Sequence, residues 1–224
     1  MVDRCSGGCC VAGLLRCAMG VRHVHSRGRR TGRIGVDVRC RGRNRCARRR
    51  VGRHPGRDPN RTAAGYTVHE ILRGADVTVV GSTDQVSGTA TIADESLTAA
   101  EITVQVEGIA TDSSQRDGQF RGMVMDTANH PTATFRLTDP VDLSSVPTDG
   151  TVATVSGAGT LTLRGEERPV TVDVEVLRSG ENIVASGSIP ATWADWGIQP
   201  PNLGFVAVDE TGSVDFLITL EPVK

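Results

Sequence analysis

Val170-Thr171-Val172-Asp173-Val174-Glu175-Val176 places a valine at every second position with a polar residue between. A helix would scatter these valines around its circumference, whereas a pleated strand sends all four to one face. The same period returns at 101–107, where Ile102, Val104 and Val106 alternate with Glu101, Thr103, Gln105 and Glu107. Near the end, Val214, Phe216, Ile218 and Leu220 alternate with Asp215, Thr219 and Glu221, Leu217 being the exception. Strand-like runs also cover about 66–72, 77–81, 85–93, 132–138, 152–164 and 182–192. Turn formers stand between them: Arg73-Gly74-Ala75-Asp76, Asp94-Glu95-Ser96, Pro147-Thr148-Asp149-Gly150 and Ser179-Gly180-Glu181-Asn182. Only 112–125 lacks alternation; Asp112 or Ser113 suits the N-cap of a short helix there, against the helix-weakening Gly118 and Gly122.

Many strands, hairpin-length turns and one apolar face per strand predict an all-β antiparallel sandwich or closed barrel. The inward phase bears on which. It reads Val86, Gly88, Ala90, Ile92 in one strand, Val155, Gly157, Gly159, Leu161, Leu163 in another, and Ile183, Ala185, Gly187, Ile189 in a third. In each, large aliphatics flank a middle of Gly or Ala. A solid sandwich core would want bulk there, so the pattern fits a barrel with an internal void. The same glycines would equally serve to relieve bending at barrel corners, and the pattern alone leaves both readings standing.

The overall formal charge of −1 hides two different materials. Residues 1–61 carry 17 arginines against Asp3, Asp37 and Asp58, a balance of +14, and hold all six cysteines and no aromatic residue. Residues 62–224 carry 8 basic and 23 acidic residues, a balance of −15, with all seven aromatics and no cysteine. The chain therefore divides into an Arg/Gly/Cys-rich segment over 1–61, expected to be disordered for want of apolar surface, and one folded domain over 62–224. The basic segment reads as a mis-assigned start in a GC-rich gene, as a nucleic-acid arm, or as an export signal whose apolar core at Val11–Leu15 is cut short by Arg16. Its cysteines lack zinc-knuckle spacing. No apolar run approaches the roughly 18 residues of a spanning helix, and the acidic domain is expected to repel nucleic acid.

Several segments in order resemble the YceI-like family of lipocalin-like, polyisoprenoid-binding proteins. They are Ser114-Gln115-Arg116-Asp117-Gly118 after Gly108-Ile109-Ala110-Thr111; His130-Pro131-Thr132-Ala133-Thr134-Phe135; Gly159 to Gly165 followed by Arg168-Pro169-Val170; and Trp193-Ala194-Asp195-Trp196-Gly197-Ile198. The resemblance runs from about Tyr66 to Pro222. It departs at Met123–Asn129, where the family often carries a Phe-rich segment, and in the scarcity of aromatics. It implies a lipocalin-like β-barrel of about eight strands with one short helix, enclosing an isoprenoid-like or other long apolar molecule, and a place in the cell envelope, with the cytoplasm as the alternative.

On that reading Phe120, Phe135, Trp193, Trp196 and Phe205 are candidate walls, Gly157 and Gly187 candidate lumen positions, and Arg116 and Arg121 candidate partners of an anionic head group. The competing expectations are plain core packing for the aromatics and a local ion pair of Arg116 with Asp117. Trp193 and Trp196 are expected near an entrance, where an indole N–H finds water. The domain's only histidines are His69 and His130, and it has no nucleophile or metal-ligand motif. No cofactor, metal or catalysis is therefore expected. The alternatives are an isomerase-like activity around His130 and nearby acids, or a solid barrel serving as an interaction module. A homodimer would suit either.

Overall fold

A computed structural model describes residues 47–51, 62–202 and 204–223. Contacts divide the chain into two units, Met1–Arg39 and Cys40–Lys224, and every described residue lies in the second. Its strands are β1 Ala47–Val51, β2 Ala63–Leu72, β3 Ala75–Thr83, β4 Val86–Ala93, β5 Ser96–Gln105, β6 Thr132–Leu137, β7 Val141–Asp142, β8 Ala153–Leu163, β9 Glu166–Ser179, β10 Asn182–Thr192 and β11 Val206–Pro222. They form a single antiparallel sheet in the order β1-β4-β5-β6-β8-β9-β10-β11-β2-β3, with β7 on β5. The fold is a lipocalin-like barrel with one short helix, as the resemblance implies, with eleven strands among the described residues rather than about eight.

Hairpin chemistry sets the order. Arg73-Gly74 and Arg164-Gly165 each put two consecutive residues at positive φ, at 51° and 83° and at 50° and 82°. This is the turn whose twist matches two paired strands. The second turn joins β8 to β9 in a register running unbroken from Ala153↔Val176 to Leu163↔Glu166.

β11 is longer than the alternation at 214–221 suggests. Its pairing with β2 slips between Val208 and Gly212. Four steps along β11 there span two along β2, so two residues are looped out and the inward phase is kept on either side; the excursion at Asp209-Glu210-Thr211 imitates a turn. At the other extreme, β5 stops at Gln105, and Val106–Gly108 closes into a 3₁₀ turn that buries Val106. The non-alternating segment forms α1, Ser114–Gln119, capped by Ser113, whose hydroxyl accepts from the Arg116 N–H. A π-helical turn, Phe120–Val124, continues it.

Five residues expected to lack structure form β1. Its backbone pairs with β4 through Ala47↔Ile92 to Arg50↔Thr89, and with the end of β11 through Arg49↔Pro222 to Val51↔Leu220. Two strand edges offer hydrogen bonds whatever side chains the incoming strand carries. The rest of the expectation for 1–61 lies outside the described residues.

The core divides into two clusters along the barrel. One gathers Val68, Val106, Phe120, Met125, Leu163, Trp193 and Trp196 under α1. The other gathers Val86, Ala90, Ile102, Leu143, Val146, Ile183 and Ile218 at the opposite end. Phe216, Val104 and Val174 pack against both. Much of the expected inward phase faces the interior void, at Ala90, Ile92, Val155, Gly157, Leu161, Leu163, Ile183, Ala185 and Ile189, but Val86 is packed in core and Gly88, Gly159 and Gly187 lie against Ile102, Phe135 and Phe216 instead of lining it.

Candidate ligand-binding cavity

The inward faces do not close on one another. Two adjoining cavities occupy the barrel, one of about 500 Å³ under α1 and one of about 170 Å³ beyond it. Ala64, Val104, Ala133, Leu163 and Val214 line both. On β11 the inward residues from Val206 to Leu220 border one cavity or the other. Discounting the two residues looped out between Val208 and Gly212, that is roughly 40 Å of strand, or about 30 Å of depth at barrel tilt.

The larger cavity reaches the surface where exposed Arg73, Gln115 and Phe205 line it. Phe205 is 55% exposed, and its carbonyl accepts from the Arg73 N–H at 2.8 Å, which ties the β2–β3 turn to the approach of β11. Tyr66 lies deeper, its ring stacked on Phe120 with centroids 5.0 Å apart. Burial is the main reason its phenol is pushed up to about 12, with Asp117 and Glu70 adding to the shift and Arg116 opposing it. The group is therefore neutral across the physiological range.

One polar cluster interrupts the apolar wall. Glu70 occupies the same inward phase as Tyr66, Val68 and Leu72, and only 5% of its side chain is exposed. Arg116 donates to Glu70 Oε1 at 2.9 Å and to Asp112 Oδ1 at 2.5 Å. Burial alone would pull this guanidinium down, but its hydrogen bonds and charge pairing with Glu70 and Asp112 outweigh burial and hold it above its ordinary value. The expected pairing of Arg116 with Asp117 is not what forms. Asp117 instead accepts from the backbone N–H and hydroxyl of Thr111, at 2.9 and 2.8 Å, and anchors the helix to the segment just before it. Glu70 is in reach because β2 passes beneath α1, which sequence adjacency cannot reveal.

The candidate residues separate cleanly. Arg116, Phe120, Trp193 and Phe205 line the larger cavity, and Phe135 and Gly157 the smaller. Gly187 lies under the ring of Phe216, and Arg121, on the π-helical turn, borders neither cavity. Trp196 is a correction. It is buried, and its indole N–H donates to the Leu161 carbonyl at 3.4 Å rather than to water at an entrance. Arg164 donates to the Gly197 carbonyl and pins the neighbouring turn to the β8–β9 hairpin. His130 stands over Gly165 of that hairpin and borders neither cavity. Among the described residues no three His, Cys, Asp or Glu side chains gather as a metal site, and no helix is long and apolar enough to cross a membrane.

Fold and void together define a small lipocalin-like barrel built around an apolar interior. The YceI-like domain matches residues 57–220, and the chain belongs to this family. Among solved structures it is similar to a polyisoprenoid binding domain from Saccharophagus degradans implicated in plant cell wall breakdown, at 22% identity and a TM-score of 0.58, covering 71% of this chain and 94% of that one. It is also similar to BcnA of Burkholderia cenocepacia, at 19% identity and a TM-score of 0.53, covering 69% and 95%. No curated protein sequence matches it.

Proposed function

We propose that this protein binds an isoprenoid-like lipid inside the barrel and sequesters or carries it without chemical change, in the cell envelope. The carrying observation is the cavity of about 500 Å³ that opens beside Arg73 and Phe205 and adjoins a second, almost wholly aliphatic one. A buried methylene contributes about 0.8 kcal/mol, so a long tail needs few polar contacts to be held. The similarity to a polyisoprenoid binding domain supports the same reading. The charge of Arg116 is already engaged by Glu70 and Asp112, which favours a head group met by hydrogen bonds, with neutral Tyr66 and Gln119 among the wall residues. His130 stands apart from both cavities, which argues against a reaction built on it.

The test is solvent extraction of the purified full-length protein followed by mass spectrometry. A co-purified lipid with an isoprenoid tail is expected, in stoichiometric amount. Protein that returns no lipid, and takes up none when offered prenol chains, would overturn the proposal.

A further inference from the structure

The two cavities meet at a layer of side chains that can be read strand by strand. Val104, Ala133, Leu163 and Val214 border both voids. One inward step further along the same four strands come Ile102, Phe135, Leu161 and Phe216, which border only the smaller. Phe135 and Phe216 bring the only rings to this layer, and each lies against a glycine. A Cβ on Gly159 would overlap the Phe135 ring, and one on Gly187 would stand 2.7 Å from Phe216 Cζ. Gly187 and Phe216 are direct partners in the β10–β11 register. A ring resting on bare backbone lies flat to the wall, whereas the same ring displaced by a methyl group has only the lumen to enter.

We propose that Phe216, held against the wall by Gly187, sets the bore between the two cavities and so determines how long an apolar tail the protein accepts. Short tails are housed in the outer cavity alone. Longer ones pass Phe216 into the inner cavity, whose floor includes Leu143 and Val141. Gly187 is the better lever of the two glycines. Besides the ring, the nearest atom to a Cβ there is the Asp173 carbonyl oxygen, at 3.0 Å, while at Gly159 it would stand 2.7 Å from the Arg136 carbonyl and strain the backbone as well. This inference rests on the proposed lipid binding, and its test is arranged to fail separately.

The experiment measures binding of farnesol, a short tail, and solanesol, a long one, to full-length wild-type, Gly187→Ala and Gly187→Ala/Phe216→Leu proteins by equilibrium dialysis, with thermal unfolding as the folding control. Gly187→Ala is expected to weaken solanesol about tenfold or more while farnesol changes less than about threefold, and the double variant is expected to recover solanesol to within about threefold of wild type. The recovery is what a merely structural glycine would not give. A folded Gly187→Ala protein that keeps solanesol, or loses both tails equally, overturns the proposal, and so does a folded double variant that fails to recover. If wild type takes neither prenol, the lipid reading has failed instead. The neck is then tested with a graded series of n-alkanols: a shorter longest-bound alkanol in Gly187→Ala supports it, and an unchanged limit overturns it.

Discussion

The two halves of this barrel share one sheet and solve opposite problems. The half under α1 is open, with Phe205 at the rim, an ion pair in the wall and a helix laid across a cavity of about 500 Å³. The far half is walled by apolar carbon, with Val86 fully buried and Leu143 and Val146 nearly so, and its cavity is a third of that size. Polar groups cost little where water is near and much where it is absent, so the chemistry available for recognition collects at one end, while buried apolar core lies at both. On this division, a cut in the far half should register in folding and one at the rim in binding.

The largest stability effect is expected from Leu143→Ala, which removes a buried side chain beside an existing void. A loss of about 2–5 kcal/mol in denaturant unfolding is expected, and a loss under about 0.5 kcal/mol would mean that Leu143 is not part of a packed core. Next comes the ion pair. Glu70→Ala leaves the part-buried Arg116 with the exposed Asp112 as its charge partner and a 3.4 Å hydrogen bond to the Thr111 hydroxyl, and should cost about 1–3 kcal/mol. Asp112→Ala, at a side chain 88% exposed, should cost less than about 0.5 kcal/mol. Equal costs would break the distinction between wall and surface.

A smaller effect belongs to pH. The Tyr66 phenol is raised to about 12 from 10.0, so its contribution is whole below pH 10 and is lost as pH climbs through 12. After allowance for solvent screening this is on the order of 1 kcal/mol. Tyr66→Phe should flatten that part of the alkaline unfolding curve, and an unchanged slope would count against burial of the hydroxyl. The smallest stability effect is at the rim: Phe205→Ala should change folding by less than about 0.5 kcal/mol while shortening the time a bound lipid is retained. A variant that unfolds early would show Phe205 to belong to the core after all.

How far the sequence reached follows the same division. Most of the inward phases of β4, β8 and β10 were legible because hydrophobic period is local, and so was the helix cap, where Ser113, one of the two candidates, accepts from the N–H three residues on. Arg116 and Trp193, both within segments that carry the family resemblance, border the larger cavity, as does Phe120 just beyond the first of them. What escaped depends on register. That Phe216 lies on Gly187, or that Glu70 on β2 meets Arg116 on α1, is a fact about segments 29 and 46 residues apart, and nothing local encodes it. Glu70 did leave a trace, a carboxylate in phase with Tyr66 and Val68 on the apolar face of β2. Trp196 was misplaced because an indole N–H that suits water is equally satisfied by a buried carbonyl.

The two tryptophans have a practical consequence for anyone watching this protein in solution. Both are within a four-residue 3₁₀ turn, Trp193–Trp196, yet one ring forms part of the larger cavity's wall while the other is fixed by a hydrogen bond in packed core. They are the only tryptophans in the chain. Ultraviolet emission therefore carries a reporter and a reference at once: filling the barrel should shift the Trp193 component and leave the Trp196 component in place. Replacing either indole with phenylalanine would isolate the other's signal, giving a label-free optical readout of occupancy.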